Sequence, residues 1–431
     1  MNELGSILIA GTGPTAVQMS VLLGRLRGTV GLVGRSTRRS QQFFQDLSDA
    51  DGFLTATVQN AAHQALAGQQ RIEHRFIDFE TVSGEWKTLV LTVPANAYLP
   101  VLRRMPAAVL ERIERVVLLS PTLGSGALVH EYLNSRALPV EVISLSSYLG
   151  DSRWPEAKPG ITVLTTGVKA RIYSGSTLHN SQSLQYLRTL FESVGTDLQL
   201  VDLPLDAEAR NISLYVHPAL FMNDVSLNAV FNPSGPQQFV YKLYPEGPIT
   251  PTLIHCMVDY WRELTNLVRA LGGSGINLLE FMLADGYRIR PESIAAELVS
   301  SFESLAPIHQ EYLVYVRYAS LLIDPYSAPD AAGRYFDFSA IPIRPIFVDE
   351  SGHWDIPRMP KEDYYRTKII QGFAQKLSVD CPTIDKLVGN YESVLQRSAG
   401  QLGAQPKTSA FEPQEFSEDL SIALTKAGVK A

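Results

Sequence analysis

The sequence opens with Ser6-Ile-Leu-Ile-Ala10, continues as Gly11-Thr-Gly13-Pro-Thr-Ala16 and then enters an apolar run. This order predicts a strand, a glycine turn and a helix, with the Gly-x-Gly-x-x-Ala spacing of a dinucleotide-binding Rossmann fold. Gly11 allows the tight turn, Gly13 leaves room for a pyrophosphate, and Ala16 lets the helix pack on the strand. A structural turn without a ligand is the alternative. The predicted pyrophosphate site consists of Gly11, Thr12, Gly13, Pro14, Thr15 and Ala16.

The residues after the second predicted strand, Thr29–Val33, indicate which dinucleotide is bound. An NAD site places Asp or Glu about 20 residues beyond the glycines, where it binds the ribose 2′-hydroxyl. This chain has no carboxylate there, and arginine binds phosphate through a planar fork of donors. We therefore predict NADPH, with a solvated basic loop as the alternative. The residues predicted to read the 2′-phosphate are Arg35, Ser36, Arg38 and Arg39.

Short apolar runs at Thr88–Val93, Arg115–Ser120 and Glu141–Ser147 predict further strands of a buried parallel sheet. Ligands of such sheets bind beyond the carboxyl ends of the strands, so the loops that follow should line the cofactor site. The residues predicted there are Thr92, Pro94, Ala95, Ser120, Pro121 and Thr122. We predict an α/β, Rossmann-like, doubly wound domain over residues 1–205.

Residues 206–431 have a different pattern, in which apolar side chains recur every three or four positions. Leu253, Cys256, Tyr260 and Leu264 form one such stripe. This spacing gives each helix one apolar face. We predict a mostly α-helical C-terminal domain.

Composition excludes several classes of protein. A net charge of −7 over 431 residues argues against a general nucleic-acid binder. Two cysteines, Cys256 and Cys381, cannot form a disulfide framework and suit a reducing compartment. No apolar run reaches membrane-spanning length, and no signal peptide is recognised. We expect a cytoplasmic protein without nucleic-acid or membrane partners.

Segments throughout the chain resemble one family. They are Tyr148–Arg153, Arg210-Asn-Ile-Ser-Leu-Tyr-Val-His-Pro218, Phe221–Asp224, Tyr241–Thr250 and Pro357–Thr367. In these segments the chain is similar to the opine dehydrogenases, specifically the bacterial metallophore branch of staphylopine, pseudopaline and yersinopine dehydrogenases. The resemblance implies that the amine of an aminobutyrate-extended histidine condenses with an α-keto acid, pyruvate or 2-oxoglutarate, and that NADPH reduces the imine. The resemblance also implies that the product is a nicotianamine-like chelator of zinc, nickel, cobalt or copper, and that the enzyme itself needs no metal.

Two residues are predicted to be catalytic. His217 precedes Pro218, which predicts an extended residue at the start of a helix, and histidine is the best proton shuttle near neutral pH. The family resemblance favours catalysis over a helix-capping role. Asp151 is expected at the carboxyl end of a sheet strand. It either orients His217 or binds the substrate ammonium, and a local turn bond is the alternative.

Substrate carboxylates require cationic partners. Arg153, Lys242, Arg317 and Arg366 are the candidates, although arginines and lysines placed like the last three are more often members of structural ion pairs. The histidines show no paired metal-ligand spacing, so no metal site is predicted.

Two other functions remain open from the sequence. One is an NADP-dependent dehydrogenase of the hydroxyacid or ketopantoate-reductase type, which would consume a keto acid without an amine. The other is a non-catalytic NADP-binding sensor. A homodimer is the expected oligomeric state.

Overall fold

The computed structural model describes residues 4–26, 28–156, 158–284, 289–323, 329, 331–335, 337 and 339–426. The chain forms two compact units. Unit 1 comprises Met1–Asn211 with Ser421–Ala431, and unit 2 comprises Ile212–Leu420. The division between Asn211 and Ile212 lies shortly after the predicted boundary at residue 205, and the last segment of the chain is grouped with unit 1.

Strands and helices alternate through most of unit 1. Its strands are β1 (Ile7–Ala10), β2 (Val30–Gly34), β3 (Phe53–Val58), β4 (Gly68–Arg71), β5 (His74–Ile77), β6 (Thr88–Leu91), β7 (Arg115–Leu118), β8 (Glu141–Leu145), β9 (Gly150–Arg153), β10 (Thr162–Val168), β11 (Arg171–Ser176) and β12 (Asp197–Val201). Its helices are α1 (Pro14–Leu23), α2 (Arg38–Asp49), α3 (Tyr98–Arg104), α4 (Ala107–Leu110), α5 (Ser125–Asn134), α6 (Gln182–Glu192) and α7 (Pro204–Glu208).

The main sheet has the strand order β12-β11-β8-β7-β6-β1-β2-β5. The strands from β8 to β5 are all parallel, and β11 joins β8 in the antiparallel sense. The chain reverses its direction of strand addition at β1 and β6, which is where doubly wound sheets bind their ligands. The predicted Rossmann-like α/β fold is confirmed.

A second, four-stranded sheet of order β4-β3-β10-β9 was not predicted. It packs against α1, which explains why α1 is buried around its whole circumference rather than along one stripe. The Gln18 side chain of α1 is 2% exposed and accepts a 2.7 Å hydrogen bond from the Thr165 hydroxyl of β10. Helix α1 is therefore fixed from both sides, and so is the glycine turn that precedes it.

Unit 2 is mostly helical, as predicted. Its helices are α8 (Ile212–Phe221), α9 (Asp224–Phe231), α10 (Pro251–Ala270), α11 (Leu278–Ala284), α12 (Ala296–Ser300), α13 (Pro307–Ala319), α14 (Arg358–Leu377) and α15 (Pro382–Leu402); α16 (Ser417–Lys426) contains the division between the units. A small hairpin pairs β13 (Phe347–Val348) with β14 (Trp354–Asp355). Helix α8 packs against α10 and α14. Among the described residues, none of these helices is long and apolar enough to cross a bilayer.

Candidate active site

The glycine turn between β1 and α1 has the geometry of a phosphate site. Gly11 has φ +133°, and a Cβ there would overlap the Thr92 hydroxyl, so the position requires glycine. Gly13 is the N-cap of α1, and a Cβ at Gly13 would meet no protein atom within 4 Å. Packing within the protein therefore does not require glycine at this position. The absence of a side chain leaves open space at the N-terminus of α1, where backbone N–H groups favour the binding of an anion. These residues fit a dinucleotide pyrophosphate.

The turn is held in place by two neighbouring strands. The Thr92 hydroxyl donates a 2.7 Å hydrogen bond to the Ala10 carbonyl. Thr12 Oγ1 lies 3.3 Å from Ser40 Oγ in the first turn of α2. Gly34 ends β2, and a Cβ there would come within 2.6 Å of the Thr12 methyl group. A small residue at position 34 thus allows the turn to sit close to the start of α2.

The basic cluster lies at the end of β2 and the start of α2. Arg35, Ser36, Arg38 and Arg39 are exposed. In the part of the chain that the structure describes, the three guanidinium groups make no hydrogen bond or ion pair. Arg38 and Arg39 belong to α2 rather than to a loop, and cations in the first turn of a helix oppose its dipole. Their placement does not stabilise α2, whereas a bound phosphate would compensate the charge.

The other predicted cofactor residues follow β6 and β7. Thr92, Pro94 and Ala95 lie between β6 and α3, and Ser120, Pro121 and Thr122 follow β7. The Thr122 N–H donates a 3.0 Å hydrogen bond to the Ser125 hydroxyl at the start of α5. Because β1, β2, β6 and β7 are parallel neighbours, every predicted cofactor segment follows the carboxyl end of a strand at one edge of the main sheet.

His217 lies inside α8, and the predicted helix start at Pro218 is wrong. Helix α8 already begins at Ile212, with Pro218 in its interior. The φ angle of proline is compatible with a helix. However, Pro218 has no N–H to donate to the Leu214 carbonyl, and its ring clashes with that carbonyl, which destabilises the helix. This cost, and the preference of the residue before proline for an extended backbone, are outweighed by the burial of apolar side chains on both sides of His217. The buried residues are Leu214, Tyr215, Val216, Ala219 and Leu220. The His217 side chain is 17% exposed.

A buried carboxylate of α14 accompanies His217. Asp363 is fully buried, and its Oδ1 lies 3.4 Å from Nδ1 of His217. This distance exceeds that of an ordinary hydrogen bond, and such contacts commonly tighten when substrate binds. The ring of Phe221 packs edge-on against the imidazole at a centroid distance of 5.4 Å. The imidazole is thus held between a carboxylate and an aromatic ring.

Asp363 belongs to a network of charges on α14. Its Oδ1 lies 3.5 Å from Nη1 of Arg366, and the Arg366 guanidinium also pairs with Glu362. Glu362 pairs in addition with Arg358. Burial favours the neutral form of Glu362, but the guanidiniums of Arg366 and Arg358 and the nearby His217 bring its pKa below its usual value. The two carboxylates and two arginines of this network have equal and opposite formal charge, and Asp363 is the carboxylate that contacts the imidazole.

Sequence reasoning missed Asp363, Glu362 and the buried phenol of Tyr260. Burial raises the pKa of Tyr260 well above its usual value, and the negative charge of the nearby Asp363 raises it further. The signal for Asp363 was its i,i+3 spacing from Arg366, which puts both on one helix face. This spacing could not connect Asp363 with His217, because the packing of α14 against α8 was not known from the sequence.

The structure places Asp151 and Arg153 in unit 1, on β9 of the small sheet. The prediction that Asp151 lies at the carboxyl end of a sheet strand is wrong. It lies within β9, which pairs with β10, and its side chain is exposed. Its carboxylate accepts a 3.1 Å hydrogen bond from the Thr166 hydroxyl. Arg153 is exposed, and its guanidinium makes no hydrogen bond or ion pair within the described residues.

The three remaining substrate candidates lie in unit 2. Lys242 forms an ion pair with Asp337 and lies 3.8 Å from Glu246. Arg317 is 6% exposed and donates a 3.3 Å hydrogen bond to the Met282 carbonyl. Arg366 is engaged by Glu362 and Asp363. Their roles toward substrate remain predictions. Among the described residues, no group of three or more acidic, histidine or cysteine side chains could hold a metal.

Comparison with known proteins gives a consistent result. A family model described as staphylopine dehydrogenase matches residues 5–427. The chain is 40% identical over 422 residues to staphylopine synthase of Staphylococcus aureus (strain Mu50 / ATCC 700699), and the match covers 97% of both chains. It is 35% identical over 403 residues to pseudopaline synthase of Pseudomonas aeruginosa (strain UCBPP-PA14), covering 93% of this chain and 92% of that protein. The solved structure of yersinopine dehydrogenase with bound NADP+ is 28% identical, with a TM-score of 0.92 and full coverage of both chains.

Proposed function

Because the chain belongs to the staphylopine dehydrogenase family, we propose that it joins an α-keto acid to the primary amine of an aminobutyrate-extended histidine. It is an NADP-dependent opine dehydrogenase, an oxidoreductase acting on CH–NH groups. The keto acid is pyruvate or 2-oxoglutarate. The product is an opine-type chelator of divalent transition metals, which are its cargo and not a cofactor of the enzyme.

The cofactor assignment is supported by the open glycine turn and by three arginines whose guanidiniums have no partner within the described part of the chain. The open space at Gly13 and the N-terminus of α1 suit the pyrophosphate. Arg35, Arg38 and Arg39 suit a 2′-phosphate. NADPH supplies the hydride that converts the imine to a secondary amine.

The observation that carries the proposal is the contact between His217 and the buried Asp363. Condensation of an amine with a ketone gives a carbinolamine, which must lose its hydroxyl as water to become an imine. We assign His217 to the proton transfer to that hydroxyl. With Nδ1 facing Asp363, Nε2 is the nitrogen available for exchange, and the carboxylate stabilises the imidazolium form.

The substrates carry several carboxylates and an amine, so the site needs charges of both signs. Among the four candidate cations, Arg153 is exposed, and its guanidinium has no partner among the residues that the structure describes. We propose Arg153 as a carboxylate anchor and the neighbouring Asp151 as the residue that binds the amine while it is still an ammonium. Lys242, Arg317 and Arg366 are retained as secondary candidates.

Arg35→Asp should weaken NADPH binding much more than NADH binding. Each charge-assisted hydrogen bond to the 2′-phosphate contributes roughly 1.5–3 kcal/mol, about tenfold or more in affinity. NADH lacks that phosphate and should be little affected. Fluorescence titration of both cofactors measures the ratio.

The matched control for this substitution is Arg188→Asp on α6, where an exposed arginine of the same unit pairs with Glu192 at 2.8 Å. It changes the charge equally but lies outside the predicted cofactor segments, so the preference for NADPH should persist. Equal losses for NADPH and NADH in Arg35→Asp would show that Arg35 does not read the 2′-phosphate.

The proposed reaction is tested by following NADPH oxidation with aminobutyryl-histidine and a panel of keto acids, with the product identified by mass. Turnover should require both substrates. Oxidation with a keto acid alone would indicate a hydroxyacid-type dehydrogenase, and NADPH binding without turnover of any pair would indicate a sensor. Light scattering on the same sample tests the proposed homodimer.

A further inference from the structure

Unit 1 contains a buried carboxylate, that of Glu208, which takes no part in the proposed reaction. Glu208 ends α7 and is 1% exposed. Its Oε2 accepts a 2.8 Å hydrogen bond from the Gly124 N–H. Its Oε1 accepts from the Gly126 N–H at 2.6 Å and from the Ser144 hydroxyl at 2.8 Å. Three donors therefore converge on one carboxylate.

The loop that Glu208 contacts is shaped to receive it. Gly124 has φ +83°, a conformation that favours glycine. A Cβ at Gly126 would lie 2.8 Å from Glu208 Oε1 and 2.7 Å from the Cβ of Pro204, so only glycine allows this approach. Three residues beyond Glu208, the Asn211 amide donates a 3.2 Å hydrogen bond to the Pro121 carbonyl. Glu208 and Asn211 thus hold the loop between β7 and α5 at two points.

The same loop contains Ser120, Pro121 and Thr122, which follow β7 at the sheet edge assigned to the cofactor. We propose that Glu208 is a positioning residue of the cofactor site, whose ionised carboxylate, together with Asn211, fixes residues 120–126 in the shape that binds NADPH. This inference rests on the proposed function. It assigns Glu208 no contact with the cofactor, only control of the backbone that makes the contact.

The protonation state of Glu208 should matter near neutrality. Burial raises the pKa of Glu208 to about 7, opposed by the hydrogen bonds from Ser144, Gly126 and Gly124. Among the described residues, no charged side chain takes part in this pKa change. The titratable and charged groups on α7, beside it and on the described elements packed against it are His130, Glu131, Tyr132, Glu141, Arg171, Tyr173, Asp197, Asp202, Asp206 and Arg210. Above pH 7 the carboxylate accepts hydrogen bonds from all three donors. Below pH 7 a proton occupies one of its oxygens, and the hydrogen bonds that hold the loop weaken.

Glu208→Gln tests the proposal directly. Whichever way the amide is turned, its NH2 group faces the N–H of Gly124 or Gly126, so two donors oppose each other. We expect NADPH binding at pH 8 to weaken about tenfold, the effect of roughly one charge-assisted hydrogen bond. The ratio of the two dissociation constants should shrink toward one at pH 6, because the wild-type carboxyl is then neutral as well. Any titration of the cofactor phosphate cancels in that ratio.

The matched control is Glu141→Gln. Glu141 is also a buried glutamate of unit 1 and accepts hydrogen bonds from Ser176 at 2.7 Å and Ser183 at 2.8 Å. It begins β8, so it lies at the amino end of its strand, opposite the cofactor edge. Its substitution should lower thermal stability and leave NADPH affinity and its pH dependence unchanged.

Ser144→Ala provides a second variant that keeps the Glu208 charge and removes one donor. This substitution should weaken NADPH binding by about two- to threefold. It therefore tests the proposal even if the Glu208→Gln variant fails to fold. Wild-type affinity in both variants would overturn the proposal, as would a constant Glu208→Gln ratio between pH 6 and pH 8 or an equal loss in Glu141→Gln. Failure of the wild-type protein itself to bind NADPH would instead reject the proposed function.

Discussion

His217→Ala should lose turnover by about 10²–10⁴-fold while NADPH binding stays at the wild-type level. The loss follows from removing the group assigned to proton transfer during imine formation. Binding is preserved because the glycine turn and the arginine cluster belong to unit 1, whereas His217 belongs to unit 2. Steady-state rates, with cofactor titration on the same preparation, measure both quantities. Added imidazole should restore part of the activity.

His255→Ala is the control for this variant. His255 lies on α10 and also has carboxylate neighbours, Glu311 at 2.8 Å and Asp259 at 3.2 Å, but its side chain is 60% exposed. A histidine with carboxylate partners on the surface should be dispensable for turnover. Near wild-type activity of His217→Ala, on separate substrates and on a preformed imine alike, would place the proton donor elsewhere. Slowing with separate substrates alone would confine His217 to imine formation.

The first half of the fold was predictable because its signals are local. The strand β1, the glycine turn and α1 follow one another within the first 23 residues, and each contributes its own pattern. The small sheet was not predictable for the opposite reason. Gly68–Arg71 and Gly150–Arg153 contain no β-branched residue, and they become strands only through pairing with β3 and β10.

The candidate site shows the same contrast. The fingerprint glycines and the missing acidic residue after β2 could be read in sequence because the cofactor imposes a fixed spacing. The partner of His217 could not, since 145 residues lie between positions 217 and 363 and only the packing of α8 on α14 brings the two together. A carboxylate next to a conspicuous glycine, Asp151, was the more visible candidate. The packing of unit 2 instead placed Asp363 beside the imidazole.

A comparison of Asp363→Asn with Asp151→Asn tests which carboxylate stabilises the imidazolium form of His217. Asp363→Asn keeps the shape of the side chain but removes the charge that stabilises an imidazolium, so kcat should fall on the order of 10²-fold or more. Arg366 retains Glu362 as a partner, and thermal melting verifies that the variant folds. NADPH affinity should not change.

Asp151→Asn should behave differently, because Asp151 is exposed and its carboxylate is assigned to the substrate ammonium. We expect the KM for the amine to rise about tenfold, the loss of one charge-assisted contact, with kcat nearly unchanged. If Asp151 were the residue that orients His217, the two variants would exchange these results. The split between kcat and KM therefore distinguishes a carboxylate that stabilises the imidazolium from one that holds the substrate, and a loss of kcat in Asp151→Asn alone would remove Asp363 from the mechanism.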